Sequence, residues 1–172
     1  MKKLKIVSFT LIFFFLSILS VNPCTVIVVG KNASTDGSVI VSQTDNGDDS
    51  RIRIFPAMDH EIGTMAGVYW GIQRVDLGLF DLGKRIGEIP QVEHTYQFFL
   101  SAYSHMNEHQ LTLAESTTSM KGELKCTYGE GEQIMTIEQA QIFALQRCKT
   151  AKEALELIGE LMTTYGFLPS CI

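Results

Sequence analysis

The spacing of apolar residues changes once along this chain, and that change limits the folds open to it. From Thr25 to about Val75 they come in short β-rich runs, TVIVVG, SVIVSQ, RIRIF and GVYWGI, punctuated by Asn32-Ala33-Ser34-Thr35-Asp36-Gly37 and by Asp45-Asn46-Gly47. Asp36-Gly37 stands between the first two runs, and glycine supplies the positive φ that a hairpin turn demands, so these strands are expected to pair antiparallel. A later group, roughly Gln97 to Ala102 and Gln110 to Ala114, flanks a turn at Asn107-Glu108. From Thr136 onward the pattern is helical. Thr136-Ile137-Glu138-Gln139 and Thr150-Ala151-Lys152-Glu153 both fit the capping box, in which a hydroxyl and a longer polar side chain satisfy each other's backbone donors. In the second helix Ala151, Ala154, Leu155, Ile158, Leu161 and Met162 form an apolar stripe, and Gly166 stands where a C-terminal cap belongs. The residues after Gly166 show neither period. Strands followed by helices predict an α+β fold with helices layered on a sheet.

The first 23 residues read as something other than fold. Met1-Lys2-Lys3-Leu4-Lys5 is a cationic start and Ile6 to Leu19 an apolar stretch broken by Ser8, Thr10 and Ser17, the pattern of a secretory signal. That stretch falls short of the roughly 20 residues a membrane span needs, so no stable membrane anchor is expected. The expected division is 1–23 as signal peptide and short pro-segment and 24–172 as one domain or part of one. The expected location is outside a bacterial cytoplasm, periplasmic or secreted. Loss of Lys2, Lys3 and Lys5 would leave 11 Lys and Arg against 19 Asp and Glu. Such a surface repels phosphates, and no basic run argues for nucleic acid as a partner.

Cys24, Cys126, Cys148 and Cys171 make up the cysteines, with no C-x-x-C among them. In an exported chain the default is disulfide pairing, most plausibly Cys126 with Cys148. A cysteine-rich structural zinc site is not supported.

Cys24 sits at the junction of the leader and the first strand. Cleavage directly before it would give the residue an α-amino group a few ångströms from its own sulfur. The amine, whose ordinary pKa is about 8, would take the thiol proton and the thiolate would attack a carbonyl. Pro23 is a poor residue for signal cleavage at that bond. A cut after Ser20 followed by self-removal of Val21-Asn22-Pro23 reconciles the two. Disulfide half, ordinary thiol and lipid-modified cysteine are the bland alternatives, the last disfavoured by Asn22-Pro23.

Cys24-Thr25-Val26-Ile27-Val28-Val29-Gly30-Lys31-Asn32-Ala33-Ser34-Thr35-Asp36-Gly37-Ser38 resembles the opening of the mature chain in the C69 family of dipeptidases, members of the N-terminal nucleophile hydrolases. Met106-Asn107-Glu108-His109-Gln110 with Glu115-Ser116-Thr117-Thr118 resembles a second family segment, and order and spacing agree from Cys24 to Gly166. The resemblance implies a four-layer αββα sandwich and hydrolysis of dipeptides through an acyl-enzyme on Cys24, with no metal or other cofactor. It also implies that the chain is an N-terminal portion, since the pattern fades at FLPSCI. One departure lies at Ser42-Gln43-Thr44-Asp45-Asn46, where many relatives carry an arginine. An arginine there would depress the thiol pKa; Gln43 cannot. Asp45 is a candidate to orient the terminal amine, or simply the acid that starts a turn at Asn46-Gly47. Asn107 is a candidate oxyanion donor through its side chain or a neighbouring N–H, or simply a turn residue.

Two other classes compete. His105-Met106-Asn107-Glu108-His109 matches H-x-x-E-H, which on a helix would set two imidazoles for zinc with Glu108 as base, but alternating Gln110-Leu111-Thr112-Leu113-Ala114 reads as a strand. His60 and His94 read as surface or satisfied core histidines. The third class is an inactive truncated product or a secreted binding module, with Tyr69-Trp70 lining a groove or, more ordinarily, packed in a core.

Overall fold

In a computed structural model, residues 24–44, 51–72, 76–116, 121–124 and 126–168 are described. The leader, Asp45 and Cys171 lie outside them. An antiparallel hairpin opens the chain, with β1 (Thr25–Val29) on β2 (Ile40–Thr44) from the pair Thr25 and Thr44 to the pair Val29 and Ile40. The expected pairing holds, but the connection is longer than a tight turn. Gly37 takes φ 77°, and Asp36 Oδ1 accepts the Ser38 N–H at 3.0 Å within it.

A single long ribbon follows, interrupted twice. Outgoing β3 (Arg53–Phe55), β4 (Met58–Asp59) and β5 (Met65–Trp70) pair with returning β8 (Phe98–Leu100), β7 (His94–Thr95) and β6 (Lys84–Pro90) respectively, all antiparallel. Arg53 meets Leu100 and Asp59 meets His94 in one register, which slips by two residues before Met65 meets Pro90. β9 (Ser104–Asn107) adds to β8. The expected Gln110 to Ala114 strand reduces to a bridge from Thr112 to Met106. At β3 the charged residue rather than the isoleucines beside it faces inward. Ile52 and Ile54 are exposed, whereas Arg53 is wholly buried and donates to the carbonyls of Asp81 and Ile72 at 2.9 Å and of Ser101 at 3.3 Å. A guanidinium carries five donors, so it can serve three chain segments where isoleucine could serve none.

Both expected helices form, α1 at Ile137–Arg147 and α2 at Ala151–Tyr165. Thr150 and Glu153 close a full capping box. Thr136 makes only its half, accepting the Gln139 N–H, because Gln139 Oε1 instead accepts the N–H of Tyr69 on β5 at 3.0 Å. α1 packs against β5, β7 and β9 and against α2. One core cluster gathers Phe98, Leu100, Leu111, Ile142 and Leu145, the other Val68, Ile89, Met135, Phe143 and Leu161. The α2 stripe is rotated from the expected one: Leu155 is exposed and Leu157 packs instead. Beyond Gly166 the chain is not patternless in space, for Leu168 is fully buried and its N–H donates to Met135 O at 2.9 Å.

The fold is α+β as expected, and no described helix is long and apolar enough to cross a membrane. The expected Cys126–Cys148 disulfide is not formed; both are free thiols. The reason is distance. Cys126 Sγ donates to Phe167 O beside the segment leading into α1, whereas Cys148 follows the far end of that helix, about 16 Å along its axis. A disulfide needs Cα atoms closer than about 7 Å. Burial pushes the Cys148 thiol pKa up, with Glu153 adding and Arg147 opposing. Alkylation with iodoacetamide under native conditions should therefore modify Cys126 and spare Cys148 until the chain is unfolded, and non-reducing peptide mapping should show no Cys126–Cys148 bridge.

The capping box makes a second expectation. N–H groups of Lys149 and Thr150 hold the Glu153 carboxyl below its ordinary pKa. A depressed carboxylate contributes stability above the ordinary glutamate range and loses it as pH falls through the folded value. Thr150→Ala should lower stability by about 1 kcal/mol at neutral pH in urea unfolding. The Glu153→Gln penalty should shrink on acidification.

Candidate active site

Cys24 immediately precedes β1 and is half-buried. Its surroundings are built by three segments far apart in the chain. Ser116 Oγ donates to Cys24 O at 3.0 Å, across 92 positions. The Thr25 N–H donates to Thr44 Oγ1 at 3.2 Å, fastening the start of β1 to the end of β2. Gln43, which pairs with Val26, accepts the Glu115 N–H on Oε1 at 2.9 Å. The hairpin end is thus stitched to residues 115–116 from both strands.

The hairpin is apolar on both faces. Ile27 and Val28 are successive residues of β1 and point to opposite sides, yet each is more than half exposed, as are Val39 and Ile40 beside them. Strands that bear apolar side chains on both faces are those that lie inside layered folds.

Asn107 ends β9 with only 4% of its surface exposed. Its Nδ2 donates to Leu145 O at 2.9 Å and Cys148 O at 2.8 Å, and its Oδ1 accepts the N–H groups of His109 and Leu111 at 3.1 Å. Both side-chain donors are engaged. The side-chain hydrogen bonds of Asn107 run to the end of α1 and to its own turn. Asp45 follows Thr44 and lies outside the described residues, as does the expected contact between its carboxyl and the terminal amine.

The H-x-x-E-H segment is strand and turn, with Gln110 at φ 63° closing it. His105 Nε2 contacts Ser101 Oγ at 2.8 Å and its ring stacks on Phe99; burial holds its pKa down. His109 instead meets the Tyr96 ring edge-on at 4.4 Å, and Glu108 Oε1 accepts the Gln97 N–H at 3.0 Å. The two imidazoles are committed to different neighbours, and among the described residues no group of three or more His, Cys, Asp or Glu could hold a metal ion. His94 pairs with Asp59 at 2.6 Å and His60 with Thr95 at 3.1 Å, as satisfied histidines do. Trp70 stacks on Tyr128 at 4.8 Å.

The contacts that sequence reasoning missed are those of Ser116 and Gln43. Ser116 belongs to a motif already recognised, but nothing in its spacing points at Cys24. Replacing Asn107 with alanine removes four hydrogen bonds and leaves two buried carbonyls unanswered. Urea unfolding of Asn107→Ala should show a loss of about 2–4 kcal/mol.

The family profile of peptidase family C69 matches residues 23–170. No curated protein and no solved structure matches the chain.

Proposed function

The chain belongs to peptidase family C69, and from that premise we propose that it is a dipeptidase whose nucleophile is Cys24, made N-terminal by processing. The observation that carries the reading is the 3.0 Å hydrogen bond from Ser116 Oγ to Cys24 O, which joins the two motifs by which the family is recognised.

In this mechanism the Cys24 amine takes the thiol proton, and the sulfur adds to the carbonyl carbon of the dipeptide. Collapse of the tetrahedral adduct breaks the C–N bond as the ammonium returns its proton to the leaving amine. The same amine then deprotonates a water that cleaves the thioester and frees the sulfur. Asp45 orients the amine. This assignment is supported by the pairing of Thr25 with Thr44, the chain neighbours of Cys24 and Asp45. Asn107 has its own N–H groups engaged, as are the backbone N–H groups of residues 107–111, so the oxyanion donor belongs to another part of the site and Asn107 holds the turn that leads toward Ser116. Gln43, in place of an arginine, contributes no charge near the sulfur.

The αββα sandwich belongs to the same reading. Its support is the apolar character of both faces of the hairpin, which a second sheet and its helices would cover. Export through residues 1–23 belongs to it too, since it supplies the cut that liberates the amine.

Cys24→Ala should reduce dipeptide hydrolysis by about 10³-fold or more, and Asp45→Asn by about 10²-fold with a shifted pH profile. Terminal sequencing of active material should begin at Cys24. Turnover that survives Cys24→Ala, or activity in a chain with a different first residue, would defeat the assignment.

A further inference from the structure

A cavity of about 410 Å³ lies between α1 and the ribbon, away from the residues around Cys24. None of Cys24, Gln43, Glu115 or Ser116 lines it. Its size falls in the range of about 300–1,000 Å³ typical of small-molecule sites. One wall is a single face of α1, where Gln139, Ile142, Phe143 and Gln146 follow one another at helical spacing. Ile142 and Phe143 make an apolar floor, with carboxamides at either end. Tyr69 forms part of the opposite wall, its ring lying so close over Gly67 that a Cβ there would sit 2.7 Å from Oη. Any other residue at Gly67 would push the ring away.

Among the polar groups on this cavity one enclosed acceptor is unanswered. Gln146 Oε1 is enclosed and has no hydrogen-bond partner, whereas Gln139 Oε1 is taken by the Tyr69 N–H and Gln91 Oε1 by the Val92 N–H and Arg147 Nη2. An enclosed acceptor without a donor costs about 1–3 kcal/mol, which a ligand N–H would recover. Among the described residues the charged groups at the mouth are Asp59, already paired with His94, and Glu61, for which no such pairing is seen. The Thr95 hydroxyl donates its proton to Met58 O, so His60 Nε2 is the donor to Thr95. Arg147 does not line the cavity; its guanidinium lies over the Phe143 ring and donates to Pro90 O and Gln91 Oε1.

We propose that this cavity binds a small primary ammonium compound of amino-acid size, its apolar part on Ile142 and Phe143, its ammonium held by Gln146 Oε1 and drawn by Glu61 at the mouth. The site is separate from the Cys24 chemistry and does not rest on it.

Ligand-observed NMR on the full chain tests this with n-propylammonium, set against n-propanol and propionate as neutral and anionic matches. Saturable binding of the ammonium, at least about tenfold tighter than either match, is the expected result. Gln146→Met, which keeps length and helix preference, should weaken it about fivefold, and Glu61→Gln in the exposed turn about threefold. The second variant keeps the question open to decision if the first does not fold. Cys24→Ala should bind as the parent does. Equal binding of all three probes, binding indifferent to both Gln146→Met and Glu61→Gln, or loss of binding in Cys24→Ala would each overturn the proposal.

Discussion

The carboxamide of Asn107 ties the return of the ribbon to the end of α1, and much of the arrangement around it follows from that one buried group. Its two donors answer the carbonyls of Leu145 and Cys148, which the last turn of a helix leaves without intrahelical partners. Its oxygen takes the two N–H groups of the following turn. With α1 pinned at this end, its other end is set by the bonds of Met135 to Gly166 and Leu168, so the helix lies against the ribbon at a fixed height. Arg53 does comparable work elsewhere, drawing the carbonyls of Ile72, Asp81 and Ser101 around one guanidinium. Both groups are polar and buried, and each makes several hydrogen bonds that join separate chain segments.

The neighbourhood of Cys24 is held differently. The hairpin that carries it is fastened through single hydrogen bonds from the Ser116 hydroxyl to Cys24 O and from the Glu115 N–H to Gln43, and its apolar side chains contribute little burial where they stand. A nucleophile at a strand start needs rigidity in the backbone that precedes the strand. Ser116 supplies one restraint on that backbone, at the carbonyl of Cys24 itself.

What could be read from the sequence depended on how local its cause was. Both helices and their starts were legible because a capping box is complete within four residues. Even so, Gln139 spends its side chain on Tyr69 rather than on its own cap, a choice made by a strand 70 positions away. The β1–β2 pairing was legible from Asp36-Gly37. β6 was not, since KRIGEIP mixes charge, glycine and proline and gains its pairing from the distant Met65–Trp70. Arg53 defeated the alternation rule because three carbonyls outweighed the burial of a neighbouring isoleucine. Of the candidate site, Cys24 and the Glu115-Ser116 segment were legible as motifs, but their contact was not. Asn107 was legible as a turn residue, while the carbonyls its side chain answers lie at the end of a helix some 40 positions on.

The polar content of α1 ties these observations together. Glu138, Gln139 and Gln141 are all nearly inaccessible, although a helix caught between a sheet and a second helix would ordinarily be apolar on both sides. Apolar residues in their place would bury more favourable area, but they would offer nothing to the Tyr69 N–H and nothing to the space beside Gln146. Gln139 joins helix and ribbon at this point through the bond it accepts from the Tyr69 N–H. Beside that bond, over Ile142 and Phe143 of the same helix, the cavity opens.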